Sequence, residues 1–288
     1  MISDDRFGLR PLWDAMLAIY SEVAKICDRH GLRYYATDGT ALGAIRHKGF
    51  IPWDDDFDIS MPRPDYEKFL ELAKTELPEN LKIVNNDNTP EFKLIFAKVQ
   101  EVREPYVKQI ENKLGYELSN GIFIDVFPIE GYPCGFRRIF INLIISILAR
   151  AIIWGNQNHS SMTIKNLVKT LYVKIVRLII PGCQDWQDCI HTMERLVRST
   201  DFETSEFTSR TCSQLKLTRR SPLPRKVWGK ARILEFDNIT IPVPENVDSY
   251  LRNEFNKYDY RELPPVEEQH PTHSYSSRCP WWLGPTER

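Results

Sequence analysis

From Leu9 to His30 the apolar residues Leu12, Ala15, Met16, Ile19, Val23 and Ile26 recur at three- and four-residue spacing, which predicts an amphipathic helix. Gly31 follows as its C-terminal stop. Leu32 to Ala36 is aromatic and extended, and Asp38-Gly39-Thr40 offers capping chemistry for a short second helix through Ile45. Phe57 to Met61 alternates as a strand does, and Pro62 and Pro64 open a helix running through Leu77. Short strands are expected at Lys82–Val84 and Lys93–Val99, and an apolar one at Gly121–Phe127, "GIFIDVF", with Asp125 inside it. A lone carboxylate within such a run needs a partner or a metal.

After Pro133 the pattern changes. Arg137 and Arg138 precede "IFINLIISILARAIIW", and beyond a polar loop comes "IKNLVKTLYVKIVRLII"; both read as helices. The uncharged run Ile139–Ala149 is far short of the ~20 residues that a bilayer span needs. Lys165, Lys169, Lys174 and Arg177 line a cationic edge that could rest on an anionic membrane surface, and the plainer expectation is a helix pair packed in the core. A further helix is expected over Asp185–Arg198, a hairpin in "ARILEFDNITIPVP", a last short helix over Val247–Phe255, and an irregular tail from Leu263. The pattern divides into a core over residues 1–133, a helical region over 134–200 and a C-terminal segment over 201–288.

With 288 residues, 42% of them hydrophobic, the chain has material for one large domain or two modest ones. A net charge of -1 provides no global field for nucleic acid, so any acidic substrate must be met locally. Cys27, Cys134, Cys183, Cys189, Cys212 and Cys279 are scattered without a C-x-x-C pair, which reads as reduced thiols and favours the cytosol. The first ten residues lack the apolar stretch of a secretory signal.

The densest chemistry is "IPWDDDFDIS", with Asp54, Asp55, Asp56 and Asp58 inside five positions. A charge run taken blind is a solvated loop, but Phe57, Ile59 and Met61 interleave with this one. Asp56 and Asp58 then share one side of a strand, Asp54 joins them if the strand starts early, and Asp55 faces away as a surface or capping group. A calcium loop is excluded, because its sixth position would be Ile59 instead of glycine and its twelfth Asp65 instead of glutamate. The remaining expectation is a Mg²⁺ or Mn²⁺ site, hard ions that take carboxylate oxygen and leave positions for phosphate. Asp125 is the candidate further ligand, unless an arginine or backbone N–H groups satisfy it. Gly39 and Thr40, at a strand-to-helix turn, would let backbone N–H groups approach a phosphate. Arg46, His47 and Lys48 lie between and could neutralise a diphosphate, with a solvated helix end as the plain alternative. Together these features describe an α+β fold: a nucleotidyltransferase-like mixed sheet with flanking helices and a helical insertion.

The stretches "DGTALGAIRHKGFIPWDDDFDISMPRPDYEKF" and "NGIFIDVFPIEGYP" resemble the LicD family of phosphotransferases, which is itself similar to fukutin and the fukutin-related protein. A weaker echo is "YLRNEFNKYDYRELPP", where Lys257 and Tyr258 stand before Asp259 and the family's glycine is missing; the family also favours aspartate where Glu130 stands. The resemblance implies transfer of phosphocholine or a related phospho-alcohol from a CDP-linked donor to a sugar hydroxyl of a cell-surface glycan such as lipopolysaccharide, teichoic acid or capsule. By that resemblance Asp54, Asp56, Asp58 and Asp125 hold metal, Asp125 accepts the acceptor's proton, Arg46 offsets developing charge, and Gly39, Thr40 and Lys98 meet phosphate. Fukutin-related members can hold zinc, but Cys183, Cys189 and His191 fit no common finger spacing, so free thiols are expected there. The same carboxylates would serve nucleotidyl transfer from an NTP, and a non-catalytic scaffold at the membrane is the reading from another class.

Overall fold

The computed structural model describes residues 4–89, 92, 94–102, 107–109, 118–155, 163–210, 222–256, 259–271 and 274–275. The elements follow in chain order: α1 (Arg10–His30), β1 (Tyr35–Ala36), α2 (Asp38–Arg46), β2 (Asp58–Pro62), α3 (Arg63–Glu76), β3 (Leu81–Val84), β4 (Ala97–Glu101), β5 (Val107–Gln109), β6 (Leu118–Asn120) and β7 (Phe123–Tyr132). Then come α4 (Gly135–Gly155), α5 (Ile164–Ile179), α6 (Trp186–Arg198), β8 (Phe207–Ser209), β9 (Leu223–Pro224), β10 (Arg232–Phe236), β11 (Ile239–Val243), α7 (Val247–Glu254) and β12 (Ser274–Tyr275).

The central sheet runs β1-β2-β7-β4-β3, with β8 on the end of β7 and β9 beside β8. β2 and β7 are parallel, and the remaining pairs of the sheet are antiparallel. The parallel pair needs a long crossover, and the chain between β2 and β7 contains α3, β3 and β4. This mixed sheet with helices is the expected α+β architecture.

α1 buries Trp13, Met16, Ile19, Tyr20, Val23 and Ile26 in the main core. It ends as expected on Gly31, at φ 62°, where the Leu32 N–H reaches the Cys27 carbonyl at 2.8 Å. A left-handed residue there favours glycine because it has no Cβ to clash. Phe57 packs between Tyr20, Phe50 and Phe236, so the β10–β11 hairpin closes the same core from the other end of the chain.

A second cluster joins α4, α5 and α6 through Ile141, Ile145, Leu148, Ile152, Val176, Ile190 and Met193, with Phe92, Leu94, Ile95 and Phe96 beneath them. The strand expected from Lys93 therefore starts at Ala97, where pairing with Val126 of β7 begins. Phe92, Leu94, Ile95 and Phe96 are apolar because they fill this second core, not because they belong to the sheet. The tail from Leu263 is not wholly irregular, since β12 pairs with β5.

The cysteine expectation is corrected. Cys183 and Cys189 form a disulfide with Cα atoms 4.9 Å apart. Asp185 caps α6 by accepting from the Asp188 N–H at 2.9 Å, and this turn folds the chain back so that the first helical turn faces Cys183. Cys27 is buried and Cys134 exposed, both as free thiols, whereas Cys212 and Cys279 lie outside the described residues. One bridged pair removes the argument for a reducing compartment that the spacing had suggested.

Candidate active site

Two neighbouring strands set the site. In the parallel pairing of β2 with β7, Asp58 stands opposite Asp125; in the antiparallel pairing of β4 with β7, Lys98 stands opposite the same Asp125. Partners in register share a face of the sheet, so Asp58, Asp125 and Lys98 form one row across three strands. Lys98 Nζ lies 2.5 Å from Asp125 Oδ1, and its side chain is 2% exposed. The ring of Phe123 sits 3.5 Å from the same ammonium and shields it. Lys98 is thus a cation set among the acids, and it supports Asp125 from below instead of lining the cavity as the expected phosphate contact.

The acidic loop ahead of β2 is tied down by its neighbours. Trp13 Nε1 donates to the Asp54 carbonyl at 2.8 Å, and the Asp54 N–H reaches Ile51 at 2.9 Å. Thr40 Oγ1 accepts from the Asp58 N–H at 2.8 Å, and the Asp125 N–H donates to the Phe57 carbonyl at 2.9 Å. Thr40 is buried, with its hydroxyl used to join α2 to β2, and it does not itself line the cavity. Gly39 does line the cavity: a Cβ there would overlap the Asp54 carboxylate. Asp38 starts α2 at φ 47° and binds Arg210, at 2.5 Å through each oxygen, in place of the capping role expected of it.

Asp54, Asp56, Asp58 and Asp125 line one cavity of about 530 Å³ together with Gly39, Arg46, Trp53 and Phe127. Oxygens of Asp54, Asp55 and Asp56 approach within 4.8 Å of one another. Asp55 is therefore a buried member of the cluster, not the surface group expected from strand alternation; the strand starts only at Asp58, and the preceding loop does not alternate. Burial, then the Asp56 and Asp55 charges, hold the Asp54 carboxyl well above its ordinary range. Burial, then Asp56, Asp38 and Asp125, do the same for Asp58. A donor set of hard, mutually repelling carboxylate oxygens in one cleft fits Mg²⁺ or Mn²⁺, whose charge would offset the repulsion.

Arg46 lines the cavity, and its Nη1 donates to the carbonyls of Tyr260 at 3.2 Å and Glu262 at 2.8 Å. Burial lowers its pKa while the Asp54 charge opposes that shift. The two residues after it depart from expectation. His47 stands edge-on to Trp53, and burial, then the Arg46 and Arg6 charges, push its pKa down to about 4, so it is neutral at pH 7. Lys48 turns away at φ 56° towards Glu235, 3.7 Å from its carboxylate. Neither lines the cavity.

The far wall of the cavity comes from the segment that carries the weaker family echo, to which no site role was assigned from sequence. Glu254, Phe255, Asp259, Tyr260 and Glu262 come from α7 and the loop after it; Lys257 and Tyr258 lie outside the described residues. Arg210 bridges Asp38, Tyr250 at 2.7 Å and Glu254 at 3.5 Å. Its desolvation favours loss of charge, but Asp38 and Tyr250 overcome that and raise its pKa. No local pattern announces a pair 172 residues apart in sequence. Nearby, Arg63 and Glu130 form a buried ion pair that fastens α3 to β7.

Residues 31–136 match the family described as LicD/FKTN/FKRP, nucleotidyltransferase domain. The chain is 25% identical over 257 residues to the lipopolysaccharide cholinephosphotransferase LicD of Haemophilus influenzae, an alignment covering 86% of this chain and 89% of that protein. An uncharacterized protein of Rickettsia typhi is 31% identical over 58 residues, 20% of this chain and 19% of its own. The solution structure of the antibiotic-resistance factor ANT(2'')-Ia matches 63% of this chain and 90% of its own at 11% identity, with a TM-score of 0.19, too low to bear on the fold.

Proposed function

We propose, on the premise that residues 31–136 form a nucleotidyltransferase domain of the LicD/FKTN/FKRP family, that the protein transfers phosphocholine or a related phospho-alcohol from a CDP-linked donor to a sugar hydroxyl of a cell-surface glycan. One observation carries the reading: Asp54, Asp56, Asp58 and Asp125, from two separated segments, meet in one cavity. The cholinephosphotransferase relative aligned over 86% of the chain supports the choice of group.

Asp54, Asp56, Asp58 and Asp125 would hold Mg²⁺ or Mn²⁺. A divalent ion supplies neutralisation of diphosphate charge and alignment of the displacement. Gly39 leaves room for the Asp54 carboxylate, and the strand register fixes Asp58 beside Asp125. The acceptor oxygen bonds to the phosphorus distal to the nucleoside as the P–O bond to the nucleotide breaks. CMP leaves, and Asp125 takes the hydroxyl proton, aimed by Lys98. Arg46, anchored on the Tyr260 and Glu262 carbonyls, stands where negative charge develops.

The test supplies CDP-choline, CDP-ribitol and CDP-glycerol in parallel, each with a candidate oligosaccharide and Mg²⁺, and then NTPs alone. CMP release with a matching mass gain on the glycan is expected. Pyrophosphate from NTPs, without CMP from any CDP-alcohol, would replace this reading with nucleotidyl transfer. Asp56→Asn with Asp58→Asn should abolish turnover in a folded protein; biological function retained by that variant would favour a scaffold.

A further inference from the structure

Among the described residues the α4–α5 pair leaves an apolar face uncovered. On α4 the exposed residues Phe136, Ile139, Phe140 and Leu143 follow helical spacing, on the face opposite the buried Ile141, Ile145 and Leu148. On α5, Ile164, Leu167, Val168, Leu171, Ile175 and Leu178 are exposed along one stripe, while Val173 and Val176 are buried on the other side. Exposure reaches 90% at Phe136, 84% at Ile164 and 85% at Leu178. The expected core pair is therefore half right: its inner faces build the second core, and its outer faces remain apolar.

Charge identifies what covers them. From Gly131 to Gln184 the sequence holds no Asp or Glu, and it carries Arg137, Arg138, Arg150, Lys165, Lys169, Lys174 and Arg177. With a chain net charge of -1, this +7 stretch stands against -8 elsewhere. On the α5 wheel Lys174 and Lys165 flank the stripe on opposite sides, where amphipathic helices place basic residues to meet lipid headgroups. Among the described residues no helix is long and apolar enough to cross a membrane, so insertion is limited to the interface. A second copy of this chain would set one cationic rim against another.

We infer that the outer face of α4 and α5 docks the protein on an anionic bilayer, lying in the headgroup region with the cations at its rim. The proposal goes beyond the transfer reaction and does not depend on it. β7 continues from Asp125 in the cavity to Tyr132 just ahead of α4, a rise of roughly 23 Å at about 3.3 Å per residue. β7 thus links the cavity directly to the start of the proposed docking face.

The experiment is flotation of the full chain with vesicles of phosphatidylglycerol and phosphatidylcholine, against vesicles of phosphatidylcholine alone, with light scattering of the free protein in parallel. Binding to the anionic vesicles is expected, weakening with salt. Lys165→Gln, Lys174→Gln and Arg177→Gln together should weaken it roughly a hundredfold, at about fivefold per cation. Ile164→Ser, Leu171→Ser and Leu178→Ser should abolish it; all six positions are exposed, so the melting temperature should hold in both variants. No vesicle binding by the unaltered chain, or binding that neither triple variant changes, would overturn the inference. A dimer in solution that the serine variant dissociates would also overturn it, by making a second copy the occupant.

Discussion

Replacing Lys98 by methionine tests whether Asp125 depends on the cation beneath it. The pair is 2.5 Å apart, with the Lys98 side chain 2% and the Asp125 side chain 13% exposed. At an effective dielectric of about 20, unit charges that close attract by roughly 6–7 kcal/mol. Desolvation of both groups cancels much of this, and removing one partner of a buried pair costs ~3–5 kcal/mol because the other is left uncompensated. Methionine keeps most of the apolar stem against Phe96 and Phe123, and the cavity gives Asp125 some access to water. We therefore expect a loss of ~2–4 kcal/mol, or roughly 5–12 °C in melting temperature for a domain of this size. Asp125→Asn should also destabilise, by stranding the lysine. The double variant carries no unpaired charge, so its loss should be smaller than the sum of the single losses by ~2 kcal/mol or more. Urea unfolding followed by circular dichroism measures all four proteins without added metal. A Lys98→Met loss below ~0.5 kcal/mol, or strict additivity in the cycle, would refute the coupling.

Two further predictions concern the neighbouring turn. Gly39→Ala should displace the Asp54 carboxylate, because the new Cβ would overlap it; CMP release should fall at least tenfold while unfolding changes little, and unchanged turnover would remove Gly39 from the site. The unfolded chain binds a proton at His47 near the ordinary value of 6.5, the folded chain only at about 4. Between these values the unfolded state holds more protons, so stability is full above about 6.5 and declines as pH falls through the window. Allowing for partial solvent screening, His47→Gln should recover ~1–2 kcal/mol at pH 4.5 relative to pH 7.5; an unaltered pH profile would contradict the burial of this imidazole.

The elements were legible wherever one face of a segment is apolar. α1, α3, α6 and the β10–β11 hairpin follow their sequence patterns within a residue or two at most boundaries, because period and burial agree. Leu94–Phe96 reads as strand but lies ahead of β4, because an apolar run carries no record of which core it fills. Asp54, Asp56, Asp58 and Asp125 do line one cavity, but only Asp58 and Asp125 are placed there by strands; Asp54 and Asp56 come from the loop ahead of β2, where strand alternation does not hold. What could not be read was contact between distant segments: Arg210 on Asp38, Lys98 beneath Asp125, and the α7 wall of the cavity. His47 looked like a cation because its charge depends on burial, which sequence does not state. The outer face of α5 was equally ambiguous, since a stripe meant for lipid and one meant for a core have the same period.

Thermal unfolding with and without Mg²⁺ or Mn²⁺ tests the proposal that Asp54, Asp56, Asp58 and Asp125 hold divalent ions. An ion that binds only the folded state at a hundred times its dissociation constant adds ~2.7 kcal/mol, or roughly 5–10 °C here. The unaltered chain should show that rise, whereas Asp54→Asn with Asp58→Asn should melt higher without metal and respond little to it. No shift at millimolar ion, or an equal shift in both proteins, would rule out ion binding at these carboxylates.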